Sequence, residues 1–140
     1  MPNQEASIAW ILKQSRTIAL VGASDNESRP AHEVMRYLQA HGYRVIPVNP
    51  RLRGRTLLGE TVYGSLREVP VPIDMVDIFR RSEEVEPIVD EAIAIGAKFI
   101  WMQLGVINQA AAETARRSGL AVVMNHCPKI ELQRGLQGRN

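Results

Sequence analysis

The sequence predicts an α/β protein built on one doubly wound parallel sheet of about five strands, flanked by helices. Three observations predict it. Apolar runs at residues 17–22, 43–48, 75–79, 98–102 and 120–124 have the length of strands buried on both faces. Helical periodicity separates most of them, and that alternation calls for crossover connections between parallel strands. The punctuation agrees, because Gly42, Gly96 and Gly119 each stop a helical pattern just before the next apolar run.

Taken in order, Ile8, Ile11 and Leu12 mark a short amphipathic N-terminal helix with Trp10 near its apolar edge. The first strand, residues 17–22, runs into Gly22-Ala23-Ser24. Ala31, Val34, Met35 and Leu38 then recur at i, i+3, i+4 and i+7, which gives a helix over 31–41 with Pro30 near its start. The second strand, 43–48, is closed by Asn49-Pro50. Residues 51–72, with Gly54, Gly59, Gly64, Pro70 and Pro72, read as loop with short extended pieces at 56–58 or 61–63. The third strand is 75–79, and a helix over about 83–95 follows with Pro87 in its first turns. The fourth strand is 98–102. Asn108 is a good N-cap for a helix over 109–118, and the fifth strand is 120–124.

Composition narrows the function. The 140 residues are expected to form one domain over 1–140, long enough to bury a sizeable core. A formal charge of +2 is too small to argue for nucleic acid. The single cysteine excludes an internal disulfide and fits a reducing, cytoplasmic setting. No apolar stretch is long enough for a membrane span, and the first residues lack the pattern of a secretory signal.

In an open parallel sheet, ligands bind beyond the carboxyl ends of the strands, near the switch in strand order. That rule selects Gly22, Ala23 and Ser24, then Asn49 to Arg53, Phe79 to Ser82, Gln103 to Val106 and Asn125 to Cys127. Small residues at 22–24 let a phosphate approach the backbone amides at the start of the next helix. A dinucleotide-binding Rossmann unit would show G-x-G-x-x-G, which cannot be drawn here, and an acid about 20 residues on for the ribose hydroxyl. The second strand ends instead in Val48-Asn49-Pro50-Arg51, with Arg53 and Arg55 beyond. Arginines in place of the acid favour an adenosine carrying an extra phosphate, as in NADP or coenzyme A, over plain NAD.

The strings V-G-A-S (21–24), Arg29-Pro30, G-Y-R-V-I-P-V-N-P (42–50), V-D-I-F-R (76–80) and W-M-Q-L-G-V (101–106) resemble the small bacterial CoA-binding proteins of the YccU type. Those are Rossmann-like domains similar to the CoA-binding domain of the succinyl-CoA synthetase α subunit. The resemblance spans residues 17–132. It implies a CoA or acyl-CoA ligand at the carboxyl ends of the strands and says little about reaction. The family commonly ends its last strand in Asp-Arg-Cys, where this chain has Asn125-His126-Cys127.

The resulting candidates are Gly22, Ala23 and Ser24 for phosphate contact, and Arg29 and Arg80 for phosphate pairing. Pro30 lies at the helix start, Asn49 and Pro50 border the adenosine, and Arg51 and Arg53 form the basic cluster. Phe79 borders the adenine or packs as core, while Gln103, Gly105 and Cys127 lie near the pantetheine. Trp101 and Met102 read as packing residues, and Asp74 and Asp77 as structural hydrogen-bonding residues. His32, His41 and His126 lack metal-ligand spacing, and the sequence sets no carboxylate directly beside His126. Without a base–nucleophile pair the chain is expected to have no independent catalysis. It reads as a carrier, sensor or regulatory module of unknown protein partner. The alternatives are an NADP-binding or nucleotide-sensing protein, or a CoA-binding subunit of an acyl-CoA ligase-like assembly.

Overall fold

The computed structural model describes residues 4–138. The elements run α1 (Gln4–Gln14), β1 (Thr17–Val21), α2 (Pro30–Ala40), β2 (Arg44–Val48), β3 (Thr56–Leu57), β4 (Glu60–Thr61) and β5 (Met75–Ile78). They continue as α3 (Val85–Ala94), β6 (Phe99–Met102), α4 (Gln109–Arg117), β7 (Ala121–Val123) and α5 (Pro128–Gly138). Five strands form one sheet in the order β2-β1-β5-β6-β7, with every neighbouring pair parallel. The expected Rossmann-like, doubly wound sheet is therefore the one observed.

Side chains alternate across the sheet and both faces are covered. In β1, Ile18 and Leu20 face the layer of α1, α2 and α5, whereas Ala19 and Val21 face α3 and α4. This two-sided burial explains why the strands are uninterrupted apolar runs. Pro47 sits in β2 at the sheet edge, where its missing N–H breaks no interior ladder. Outside it, Tyr63 makes a parallel bridge to Val48 and covers part of that edge.

Element by element, the sequence reading holds with small changes at the ends. Asn108 caps α4, its Oδ1 accepting from Ala111 N at 2.9 Å. Pro87 falls at the third residue of α3, where its missing N–H costs nothing. Both short extended pieces exist and pair antiparallel as β3 and β4. Their turn puts Leu58 at φ 49° and Gly59 at φ 83°, positive at both central positions as a tight hairpin requires. Trp10 is 54% exposed and meets Phe99 edge-on at 5.5 Å between ring centroids. The helix α5 is a real omission from the sequence reading. Pro128 is its first residue, and it packs against α1 and α2.

Asp74 behaves as expected. Its Oδ2 accepts from Arg16 N at 2.9 Å and Thr17 N at 3.0 Å, tying the start of β1. Asp77 does not. It lies in the middle of β5, fully buried, and neither carboxyl oxygen has a partner among the described residues. Desolvation pushes its carboxyl well above the ordinary aspartate range.

Candidate functional site

The chain turns outward from β1 to β2, then returns to β5 and proceeds the other way through β6 and β7. Helices leaving β1 and β5 pack on opposite faces, so a crevice opens above the carboxyl ends of those two strands. Its floor is tight. Phe79 N donates to Val21 O at 2.8 Å, and Gly22 adopts φ +93° directly against it. A Cβ on Gly22 would stand 2.3 Å from Phe79 O, so any other residue must displace that carbonyl.

On one side of the crevice lies a cavity of about 450 Å³ lined by Gly22, Ala23, Ser24, Arg29, Asn49 and Arg51. Two amides of the Gly22-Ala23-Ser24 turn, beside which a phosphate is expected to approach, are already engaged. Gly22 N and Ala23 N both donate to Val48 O, at 2.9 and 3.3 Å. These bonds hold the loop against the end of β2. Asn49 strengthens that junction, its Nδ2 donating to Ala23 O at 2.8 Å while its Oδ1 accepts from Arg51 N at 2.9 Å. Among the amides lining the cavity, Ser24 N and Asp25 N have no acceptor among the described residues, and neither has Ala31 N, second in α2 behind Pro30. Ala31 lines the cavity at the positive end of the helix.

The arginines sort themselves by partner. Arg53 Nε pairs with Glu68 at 2.7 Å and holds that carboxyl below its usual range, so Arg53 stands outside the cavity. Arg55 reaches Asp25 at 3.6 Å and Arg80 reaches Glu84 at 3.2 Å. Arg29 and Arg51 line the cavity and have no acidic partner among the described residues. Of the basic cluster after β2, Arg51 is thus the cation left for a ligand.

Beyond the crevice lies a second cavity of about 670 Å³. Val34 of α2, Phe79, Val106 and Ile130 of α5 give it hydrocarbon walls, and Cys127, 5% exposed, lines it as well. Gln103 is 6% exposed, and its Oε1 is buried with no donor among the described residues. The loop that carries Gln103 is firmly held. Gly105 N donates to Asn125 Oδ1 at 2.8 Å, Ile107 N to Ser82 Oγ at 3.0 Å, and Asn108 Nδ2 to Ser82 O at 2.9 Å. On the opposite wall, Lys129 of α5 bonds Glu33 of α2, keeping that carboxyl below its ordinary range, and sits 5.6 Å from the Tyr37 ring centroid. Pro30, Phe79 and Arg80 line both cavities, so the two join into one trough.

Twelve of the fourteen candidate residues therefore line this trough. Arg53 does not, and Pro50 lies on a separate hollow of about 200 Å³ with Gly64 and Leu66. Sequence reasoning missed Glu33, Val34, Lys129, Ile130 and Gln133, all on helices that wall the larger cavity. Pro128, an N1 signal, was the available clue to α5. His126 does have a carboxylate near it, contrary to the sequence expectation: Glu131 Oε2 lies 3.1 Å from its Nδ1, brought there by the first turn of α5. Among the described residues no group of three or more His, Cys, Asp or Glu is placed to hold a metal ion, and no helix is long and apolar enough to cross a membrane.

Comparison with known proteins gives a consistent picture. Residues 16–133 match the family model described as a CoA binding domain. The chain is 38% identical over 126 residues to the protein YneT of Bacillus subtilis (strain 168), covering 90% of this chain and 92% of that one. It superposes with a TM-score of 0.90 on a hypothetical protein from Pyrococcus horikoshii OT3, at 39% identity, covering 96% of this chain and 93% of the other. It is also 25% identical over 122 residues to an acetate–CoA ligase (ADP-forming) of Archaeoglobus fulgidus. That match covers 80% of this chain but only 18% of the ligase.

Proposed function

The chain belongs to the CoA binding domain family, and from that premise we propose that it binds coenzyme A or an acyl-CoA along the joined trough. The adenosine and its phosphates occupy the 450 Å³ side and the pantetheine arm the 670 Å³ side. The observation that carries this reading is the pair Arg29 and Arg51, two guanidinium groups lining the smaller cavity without an acidic partner among the described residues. A phosphate supplies the missing partner with short, charge-assisted hydrogen bonds. The Ala31 N–H and the positive end of α2 add to the attraction. Next door, the buried Gln103 oxygen suits an amide N–H of the arm. The protein then serves as a stand-alone CoA carrier or sensor, with no reaction assigned to it.

Calorimetry with CoA, dephospho-CoA, NADP and NAD tests this. A charge-assisted hydrogen bond contributes about 1.5–3 kcal/mol, so CoA should bind at least about tenfold more tightly than dephospho-CoA. Arg51→Ala should remove most of that difference. Equal affinity for CoA and dephospho-CoA would show that the arginines do not read the 3′-phosphate. Tighter binding of NADP than of CoA would replace the reading with a nicotinamide nucleotide.

A further inference from the structure

The larger cavity exceeds what the pantetheine arm needs. At about 670 Å³ it is roomier than the 450 Å³ cavity assigned to adenosine and its phosphates, although the arm is a thin chain with no ring. Most of its wall is apolar, although Glu33, Arg80, Arg81 and Lys129 also border it. Val34 and Val106 are buried in its wall, while Leu104 and Ile130 stand at its mouth, 54% and 36% exposed. Ile107, also exposed, follows on the same loop as Leu104. Apolar side chains scattered singly over a surface need no explanation. Leu104 and Ile130 are brought together from different elements at the rim of one cavity, and such a cluster marks a surface that something apolar covers.

We propose that this space takes the apolar acyl chain of a medium-chain acyl-CoA thioester, closing against Leu104 and Ile130, so that the preferred ligand is acylated. The proposal rests on the CoA reading given above and adds the chemical class of the group on sulfur. Free CoA leaves the hydrocarbon wall wet, and an acetyl group is too short to cover it. A straight chain reaching the rim replaces that water, and its affinity grows with each buried methylene.

The experiment is calorimetry on the full chain with CoA and with acetyl-, butyryl-, hexanoyl- and octanoyl-CoA, all below their micelle-forming concentrations. Affinity should climb from acetyl to hexanoyl, by up to about fourfold per methylene where burial is complete. In the double variant Leu104→Ser/Ile130→Ser the climb should flatten. Equal affinity for CoA and all its esters would overturn the acyl proposal and leave CoA binding intact. Failure of every compound to bind would overturn both. A climb unchanged in the double variant, or a flat wild-type series with a dimer that the double variant dissociates, would also overturn it, the second by assigning the rim to another copy of the chain.

Discussion

Replacing Gly22 by alanine perturbs the narrowest point of the site, and its cost can be worked from the geometry. The new Cβ would stand 2.3 Å from Phe79 O, 2.9 Å from Phe79 C and 3.2 Å from Arg80 Cδ. Comfortable separation is roughly 3.5 Å, so the Phe79 carbonyl must retreat by about 1 Å. It cannot do so freely, because Phe79 N is bonded to Val21 O at 2.8 Å and Gln103 N to Ile78 O at 3.2 Å. Forcing this kind of overlap costs about 1–3 kcal/mol. Holding an L-residue at φ +93° adds about 1–2 kcal/mol. The sum of about 2–5 kcal/mol leaves a domain of ordinary stability folded. At about 4 °C per kcal/mol for a chain of this size, the melting temperature should fall by roughly 8–20 °C. Because Phe79 and Arg80 line both cavities, CoA affinity should drop as well, by about tenfold or more if one charge-assisted contact is lost. Thermal and urea denaturation measure the first effect and calorimetry the second. A variant that melts within about 2 °C of the parent and binds CoA equally well would refute the argument.

Two further outcomes are expected. Burial raises the Asp77 carboxyl well above the ordinary value of 3.8, so the folded protein keeps a proton that the unfolded chain releases. Stability from this group therefore falls as pH rises from 3.8 toward the folded value, and Asp77→Asn should gain on the parent across that window. Urea denaturation from about pH 4 to pH 8 should show the gap widening with pH; a constant gap contradicts the assignment. Cys127 lines the larger cavity, so bound CoA should shield it from alkylation. At ligand ten times its dissociation constant, the rate of iodoacetamide labelling, followed by intact mass, should slow by about tenfold; an unchanged rate moves the arm away from Cys127.

Much of the framework was legible because it depends on local pattern. The strands are buried on both faces, so their runs are apolar throughout, and α2 announces itself through Ala31, Val34, Met35 and Leu38. Asn108 could be read as a cap because a cap acts over three residues. The candidate site was legible to the extent that the carboxyl ends of parallel strands select it. What stayed hidden depends on distant partners. Nothing local distinguishes Arg51 from Arg53; the difference is Glu68, fifteen positions further along the chain, which claims one of them. Val48 O claims the amides of Gly22 and Ala23 only after β1 and β2 have paired. Asp77 reads as an ordinary polar residue until β1 and β6 pair on either side of β5 and the finished fold buries it. The helix α5 carries few apolar residues and an interior Gly135, so its pattern is weak, and its stability comes from packing on α1 and α2.

The trough is assembled from segments lying between Gly22 and Gln133, contributed by loops after β1, β2, β5 and β6 and by α5. A form in which one of these segments has opened lacks part of the lining, so ligand binding favours the finished fold. Occupancy is thereby converted into resistance to global unfolding. At free ligand a hundredfold above the dissociation constant, stability rises by about 2.7 kcal/mol and the unfolded fraction drops about a hundredfold. Cellular proteases that act on unfolded chains would then remove the empty protein faster than the filled one. The amount of this protein in a cell would follow the supply of its ligand, with no change in how much of it is made.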